Sequence, residues 1–207
     1  MDIFIIIFFS YLSGSIPFGL ILSKIFGKID VRNIGSGNIG ATNVLRTGNK
    51  FLAFLTLVLD ITKGYIPVIL AIKFFPDFVN LSALAAFIGH IFPVWLKFKG
   101  GKGVATYLGI LFALSIQLSL LFIFTWLVVS LIFKYSSVSS MFSALTVLVV
   151  STLREIAYPI LSIITEQNFY TSNNKTFILF VFFILIIFTH RKNISNLKNK
   201  TEQKIKI

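Results

Sequence analysis

The stretch FILFVFFILIIF, residues 177–188, decides the fold class, because it contains no polar side chain. A similar run, FIIIFFSYLSG, occupies residues 4–14, and the whole chain is 56% hydrophobic and only 13% charged. That balance is too apolar for an ordinary soluble domain. Spans of about 20 apolar residues cross a bilayer as helices. The sequence therefore predicts an all-α integral membrane protein with a single domain, residues 1–207.

The apolar sequence divides into blocks that are long enough to hold membrane helices. These blocks are 2–26, 51–75, 79–97, 104–133, 137–165 and 175–190. The polar stretch EQNFYTSNNK separates the last two blocks and predicts a loop. The apolar N-terminus lacks a basic segment and a cleavage site, so we interpret it as a retained first helix.

Charge predicts the orientation of these helices. Basic residues outnumber acidic ones in segments 28–50, 97–103 and 191–207, which the positive-inside rule places in the cytoplasm. Returning from 97–103 to a cytoplasmic C-terminus takes an even number of crossings, but three blocks remain. Either 104–133, which is too long for one straight span, or 137–165, which Arg154-Glu155 and Pro159 interrupt, must therefore divide. We expect a bundle of about seven transmembrane helices, some short or broken, with the N-terminus outside.

Several kinds of chemistry are excluded by composition. There is no cysteine, and two histidines with few carboxylates make a metal site improbable, so we expect neither a metal nor another cofactor. The formal charge of +12 lies beside apolar spans, which indicates contact with membrane lipids and excludes nucleic acid as a partner. A Gly-x-Ser-x-Gly elbow is absent. Trp95 stands where a His-x4-Asp signature starting at His90 would need aspartate.

Residues 33–50, NIGSGNIGATNVLRTGNK, are polar although they lie between two apolar blocks. Gly35, Gly37 and Gly40 permit positive φ, so backbone N–H groups can converge on one point. Arg46 adds a planar fork suited to phosphate. Neutral donors complete the set: Ser36, Asn38, Thr42 and Asn43. The segment is either an anion site or a flexible connection between helices.

A second polar segment, KFKGGKGVAT at residues 97–106, combines lysines with glycines directly before a predicted helix start. Exposed amides at a helix N-terminus bind phosphate, and Lys102 would add a point charge. The spacing does not match a Walker P-loop. A turn that only sets membrane orientation would explain the lysines but not the glycines, so we favour a phosphate site.

Ionisable residues also lie inside the predicted spans. Asp60 and Lys63 share one helical face and predict either a structural ion pair or support for the site. His90 precedes the glycine–lysine segment and is either a hydrogen-bonded packing residue or a catalyst. His190 ends the last span next to Arg191, as an interfacial anchor would, and falls on the same predicted cytoplasmic side.

Five motifs in this order resemble the bacterial acyl-phosphate:glycerol-3-phosphate acyltransferase family. They are SGSIPFG at 13–19, GSGNIGATN at 35–43, LDITKG at 59–64, GHIFPVWLKFKGGKGVAT at 89–106 and HRKNI at 190–194. The resemblance implies a multi-pass enzyme of the bacterial inner membrane with a cytoplasmic active site. It implies acyl transfer from acyl phosphate to the 1-hydroxyl of glycerol 3-phosphate, the first step of phospholipid synthesis. The products are lysophosphatidic acid and phosphate, and functional coupling to an acyl-phosphate-producing enzyme follows.

The resemblance assigns roles to individual residues. Catalytic candidates are His90, Lys102 and His190, and the general base is one of the two histidines or a substrate phosphate oxygen. Predicted substrate-binding residues are Ser36, Gly37, Asn38, Thr42, Asn43, Arg46, Gly100, Gly101, Gly103, Thr106 and Asn193. The tail departs from the family pattern, since Asn196 and Lys200 replace the expected arginine and glycine.

Two other functions fit parts of the sequence. A transporter or channel for a small organic phosphate would use the basic segments as a cytoplasmic gate. However, polar residues would then be expected at mid-membrane in several helices. A structural membrane subunit would leave the glycine-rich segments unexplained.

Overall fold

The computed structural model describes residues 2–165 and 175–205, with the backbone alone for residues 158–165. In these ranges the chain forms helices and no β-strand, as predicted. The α-helices are α1 Asp2–Ser15, α2 Phe18–Ile25, α3 Ala41–Leu45, α4 Lys50–Phe74, α5 Val79–Ile91, α6 Val104–Leu114, α7 Ile116–Phe133, α8 Ser136–Thr165, α9 Lys175–Thr189 and α10 Arg191–Lys198. The predicted loop at 166–174 lies outside the described residues.

Five segments are long and apolar enough to cross a membrane, and α9 with α10, bent by 54°, brings the number to as many as six. The five are Asp2–Ile25, Lys50–Phe74, Pro76–Leu96, Ile116–Phe133 and Ser136–Ala157. Helix α6, with 11 residues, is shorter than these. The structure thus confirms a polytopic helical membrane protein.

The block 104–133 is the one that divides. Ser115 takes an extended conformation between α6 and α7, and its hydroxyl accepts a hydrogen bond from the Leu118 amide at 3.4 Å. That hydroxyl caps α7, which a serine does well at a helix start. The alternative, a division within 137–165, is wrong: α8 is continuous through Arg154-Glu155 and Pro159.

The first span is also broken, at Ile16 and Pro17, because proline lacks the N–H that a continuous helix needs. The Lys63 ammonium of α4 donates to the Ile16 carbonyl at 2.7 Å and so supplies a charged partner at the break. The same ammonium lies 2.7 Å from a carboxylate oxygen of Asp60. The ion pair predicted from sequence therefore also joins α4 to the first span.

Glycines bring two pairs of helices into close contact. A Cβ at Gly14 would collide with the Ala86 backbone, so α1 and α5 touch there. A Cβ at Gly64 would collide with Thr106, and one at Gly109 with Ile61, so α4 and α6 are equally close. Small residues permit such packing in membranes, where apolar burial alone does not drive helix association. This contact sets the start of α6 beside the middle of α4.

Aromatic rings fill the interior, and large apolar side chains are exposed on the outer surface. Phe87, Tyr107 and Phe182 pack edge to face or tilted, with centroids 5.2–6.3 Å apart. Phe51, Phe124 and many other large apolar side chains are exposed on the bundle exterior. Such a surface is suited to lipid rather than to water.

Candidate active site

The segment 31–46 folds into a compact loop rather than a flexible connection. Gly35 and Gly37 adopt left-handed φ angles of 56° and 71°, as predicted. Gly40 does not: its φ is −83°, because it is the N-cap of α3. A Cβ at Gly35 would collide with the side chains of Asn43 and Arg46, so glycine lets this turn lie directly against them.

Asn43 organises the loop from within. Its amide nitrogen donates to the carbonyls of Val31, Ile34 and Asn38 at 2.8–2.9 Å. Its amide oxygen accepts from the Ser36 amide at 3.0 Å and from Arg46 at 3.3 Å. All its polar capacity is used inside the protein. The structure therefore makes Asn43 a scaffold for the loop, although the sequence suggested a substrate ligand.

Asn38 differs from Asn43, because its side-chain oxygen is buried and makes no hydrogen bond among the described residues. A buried acceptor without a partner is costly. Gly101 lies opposite this oxygen, and a Cβ there would collide with the His90 Nε2. The Gly101 position thus leaves a small gap that both Asn38 and His90 face.

The segment 97–103 differs in part from the anion turn that the sequence predicts. The amides of Gly100 and Gly101 donate to the carbonyls of Ile91 and His90 at 3.0 and 3.1 Å. Those amides close the C-terminal end of α5 and are already hydrogen-bonded within the protein, although Gly100 and Gly101 both line the polar cavity described below. The start of α6 remains: Gly103 is its N-cap, and no side chain of the described residues caps its first amides.

His90 is held by Thr106. The Thr106 hydroxyl and the His90 Nδ1 are 3.0 Å apart, and both residues are buried. Thr106 lines neither of the two cavities described below. It therefore orients His90 from behind, and the prediction that it contacts a substrate phosphate finds no support in its position.

The tail closes the other side of the site. The His190 Nδ1 lies 2.8 Å from the Ile186 carbonyl, which can only accept, so Nδ1 carries the hydrogen and Nε2 is left as the acceptor. The Asn193 amide donates to Glu202 at 2.6 Å. Ser137 of α8 donates to the same carboxylate oxygen at 2.9 Å. Glu202 therefore fastens residues 201–205 to both α10 and α8.

A large cavity of about 630 Å³ lies between these groups and helices α4, α6 and α7. Its polar end is lined by Ser36, Asn38, Thr42, Asn43, Arg46, His90, Lys102, His190, Asn193 and Glu202. Its apolar walls include Phe54, Leu57, Leu108, Phe112, Ile123, Trp126 and Leu127. Phe54 and Leu127 are also exposed on the bundle exterior, so the large cavity opens sideways towards lipid.

A polar cavity of about 580 Å³ adjoins the large one. The two share Ser36, Asn38, Arg46, Lys102, Asn193, Glu202 and Gln203. The polar cavity adds Gly37, Gly100 and Gly101, together with the cations Lys99, Arg191 and Lys192. Because Arg46 and Lys102 line both cavities, a ligand in either one meets their charges.

The pKa values of Lys102 and Arg46 are shifted in the wall that the two cavities share. Burial lowers the pKa of Lys102 to about 8; the carboxylate of Glu202 opposes this shift, and the cations Arg46 and Lys192 reinforce it. Burial likewise lowers the pKa of Arg46, against the pull of Glu202. A bound anion would relieve this crowding of cations.

Every predicted site residue except Thr106 lines one of the two cavities. Asp60 also lines the large cavity, which favours its supporting role beside the structural one. Sequence reasoning left out Glu202, Ser137 and Trp126. Glu202 had a signal, as the one carboxylate in a basic tail, whereas nothing local distinguished Ser137 or Trp126 from neighbouring apolar helix. The described residues contain no cluster of three or more His, Asp or Glu suited to a metal.

The fold and site together define a helical membrane protein in which a cation-lined polar cavity adjoins a lateral apolar cavity. The sequence model of the family described as glycerol-3-phosphate acyltransferase matches residues 4–200. A glycerol-3-phosphate acyltransferase of Pelagibacter ubique is 53% identical over 208 residues, covering 100% of both chains. One from Mesorhizobium japonicum is 48% identical, covering 95% of this chain and 93% of that one.

A solved structure gives the same result. The glycerol 3-phosphate form of PlsY (YgiH), an integral membrane glycerol 3-phosphate acyltransferase, superposes with a TM-score of 0.85 at 35% identity. The match covers 100% of this chain and 96% of that one. Its lysophosphatidic acid form gives a TM-score of 0.83 at 36% identity. This chain belongs to the glycerol-3-phosphate acyltransferase family.

Proposed function

We propose that this protein transfers a fatty acyl group from acyl phosphate to the 1-hydroxyl of glycerol 3-phosphate. The products are 1-acyl-glycerol 3-phosphate (lysophosphatidic acid) and inorganic phosphate, in the first step of phospholipid synthesis. The observation that carries this proposal is the shared wall, where Arg46 and Lys102 line both the apolar-walled cavity and the polar one. Both substrates are phosphate compounds, and one of them has a lipid chain.

The two cavities divide the substrates between them. The acyl chain enters the large cavity sideways past Phe54 and Leu127, which lie at the lipid-facing surface. Glycerol 3-phosphate occupies the polar cavity, where cationic side chains can bind its phosphate. The substrates therefore meet at the shared wall, and positioning alone supplies much of the rate enhancement.

The chemistry is a direct displacement. The hydroxyl oxygen attacks the acyl carbonyl carbon, the bond from that carbon to the phosphate oxygen breaks, and phosphate leaves with the bonding electrons. Lys102 and the free amides at the start of α6 stabilise the developing negative charge. The hydroxyl proton goes to a phosphate oxygen or to the His190 Nε2, whose lone pair the Ile186 contact leaves available. His90, held by Thr106, is the other candidate base.

The proposed topology has seven crossings, with α6 as the short one. The starts of α6 and α8 and the ends of α7 and α9 adjoin the site, since Ser136 contacts Thr42 and the Ile205 amide bonds to the Lys134 carbonyl. Helices α6 and α7 thus form a hairpin. The positive-inside rule supports a site on the cytoplasmic side and an external N-terminus, in a bacterial inner membrane. Single cysteines at Asn33 and Asp77 in this cysteine-free chain would be labelled from opposite sides.

The activity test uses the purified protein in lipid with palmitoyl phosphate and glycerol 3-phosphate. We expect lysophosphatidic acid and phosphate in equal amounts and no product from palmitoyl-CoA. An absence of product from folded protein would contradict the proposal. Flux of glycerol 3-phosphate into sealed vesicles without chemical change would support the transporter alternative instead. Supply of the labile donor implies functional coupling to an enzyme that makes acyl phosphate.

A further inference from the structure

A third cavity adjoins the site just described and is lined by cations. It measures about 540 Å³ and is bordered by Arg32, Lys97 and Lys99 with the backbone of Gly37 and Gly100. None of its described lining residues is acidic. We call it the cationic cavity. Its positive lining suits an anion.

An apolar groove of about 360 Å³ adjoins the cationic cavity. It runs along the start of α2 and is lined by Ile16, Pro17, Leu20, Ile21 and Lys24. Trp95 and Leu96 line both the groove and the cationic cavity. Cations at one end and aliphatic side chains at the other therefore form one continuous surface.

The wall between the two halves is fixed in place. The Trp95 indole donates to the Ser15 hydroxyl at 2.9 Å, which sets the plane of its ring. Lys97 and Phe98 both take left-handed φ angles, 51° and 61°, which non-glycine residues rarely adopt. Such strain persists where surrounding structure over-determines it, and it recurs at ligand clamps.

The positive charge of the cationic cavity is only partly neutralised. Asp30 pairs with Arg32 at 2.6 Å and with Lys24 at 3.5 Å. The Arg32 guanidinium holds the pKa of Asp30 well below its usual range, so the carboxylate stays ionised. Lys97 and Lys99 have no acidic partner among the described residues. A net positive charge therefore faces the cavity.

We propose that the cationic cavity and the apolar groove together bind one anionic phospholipid. Its phosphate contacts Arg32, Lys97 and Lys99, and one acyl chain lies in the groove beside α2. A soluble phosphate would leave the groove empty, whereas a zwitterionic lipid would bring a second cation against the lysines. Gly37, Lys99 and Gly100 line the polar cavity as well, so the lipid would lie against loops of the active site.

Tryptophan fluorescence tests this proposal directly, because the chain has only two tryptophans, Trp95 and Trp126. The Trp126→Phe protein, in phosphatidylcholine vesicles, reports on Trp95 alone. Brominated lipid quenches the fluorescence on contact. We expect brominated phosphatidylglycerol to quench Trp95 at much lower mole fraction than brominated phosphatidylcholine, with saturation. Equal quenching by the two lipids would overturn the proposal.

Matched lysine variants identify the contact. Lys97→Gln should weaken the preference for phosphatidylglycerol by roughly fivefold, the loss expected for one cation at an anionic headgroup. Lys97→Arg should retain it, and Lys73→Gln, at the far end of α4, should leave it unchanged. Equal effects of Lys73→Gln and Lys97→Gln would mean only general surface charge. Displacement by millimolar inorganic phosphate would mean a soluble-anion site, and either result would refute lipid binding.

Native mass spectrometry of the unaltered protein gives an independent measurement that does not need the Trp126 substitution. We expect one phosphatidylglycerol molecule to remain bound preferentially, and Lys97→Gln to lose it. Retention of the same number of lipids by both proteins would contradict the assignment.

Discussion

The first loop, residues 31–46, and the tail, residues 190–205, both line the active site, but they are held in different ways. The loop is built by contacts within itself, centred on Asn43. The tail has local contacts too, such as that of Asn193 with Glu202, but it also depends on distant elements, since Glu202 binds Ser137 and the Ile205 amide binds the Lys134 carbonyl. One wall of the site is therefore held mainly by local structure, whereas the other also needs tertiary contacts.

The largest effect should come from removing the centre of the loop. Asn43→Ala leaves the Val31, Ile34 and Asn38 carbonyls without their donor, which should cost about 2–4 kcal/mol of unfolding free energy. We expect activity to be almost abolished and the thermal unfolding midpoint in detergent to fall. Asn33→Ala, an exposed residue of the same loop, is the matched control. Normal activity in Asn43→Ala would show that the loop is not held from within.

Lys102 lies between the two walls, because the Thr189 hydroxyl donates to its carbonyl while its side chain lines both cavities. Lys102→Met should reduce kcat/KM by roughly 10–100-fold, the loss of a charged hydrogen bond to phosphate. Lys28→Gln, an exposed lysine at the same predicted face, is the control for net charge. Steady-state kinetics with each substrate varied would test this, and unchanged kinetics in Lys102→Met would remove Lys102 from the site.

The pH dependence of kcat/KM should follow the ionisation of Lys102. Its pKa of about 8 means that its charge is lost as pH rises through 8, so kcat/KM should fall by up to about tenfold per pH unit above that value. Bound phosphate favours the charged lysine, so kcat should fall at higher pH than kcat/KM. Lys102→Arg should abolish this fall in kcat/KM at high pH, because arginine stays protonated. A fall that survives in Lys102→Arg would have to belong to another group.

Stability should move in the opposite direction to activity. The folded-state pKa of Lys102, about 8, lies below its ordinary value of 10.5, so the unfolded chain binds the proton more tightly. The cost of burying the charge is present in full below pH 8. It is relieved as pH rises from 8 towards 10.5, so the stability of the folded protein should rise over this range. Thermal unfolding of the unaltered protein and Lys102→Met across this range isolates the contribution.

The smallest effect should come from neutralising the tail. Glu202→Gln removes a negative charge beside Arg46 and Lys102 while preserving an acceptor for Asn193 and Ser137. We expect KM for glycerol 3-phosphate to fall by about threefold, a gain of under 1 kcal/mol that suits a partly screened charge. Glu202→Ala should instead release residues 201–205 to protease and raise KM. Identical behaviour of both variants would mean that charge has no separate role.

The loop could be predicted from sequence better than the tail for the same reason. Gly35 and Gly37 adopt the left-handed turns that glycine permits, although the same prediction was wrong for Gly40, and the density of polar residues favours a site. The Asn43 side chain points inward, where three carbonyls of its own loop accept its hydrogen bonds. Ser137, which donates to Glu202, lies far away in the chain, and no periodicity connects it with a carboxylate near the C-terminus.

In the fold, too, local features could be predicted from the sequence and tertiary contacts could not. Apolar blocks revealed the helices, and charge parity required one block to divide. The block that divides is the one containing Ser115, whose hydroxyl caps α7, whereas Pro159 lies inside the continuous helix α8. Proline thus broke the helix at residue 17, where the Lys63 ammonium reaches the freed carbonyl, and not at residue 159. A helix-breaking proline is visible in the sequence, but the neighbouring side chains that stabilise a break in the helix are not.

The contact from Lys63 to the Ile16 carbonyl has a consequence for biogenesis. A span carrying Asp60 and Lys63 enters the bilayer at a cost, and one partner of that lysine lies on the span synthesised before it. The first two spans should therefore leave the translocon as a joined pair. The loop that connects them is the one organised by Asn43. The ribosome would then still be adding the rest of the chain when one wall of the catalytic pocket has already formed.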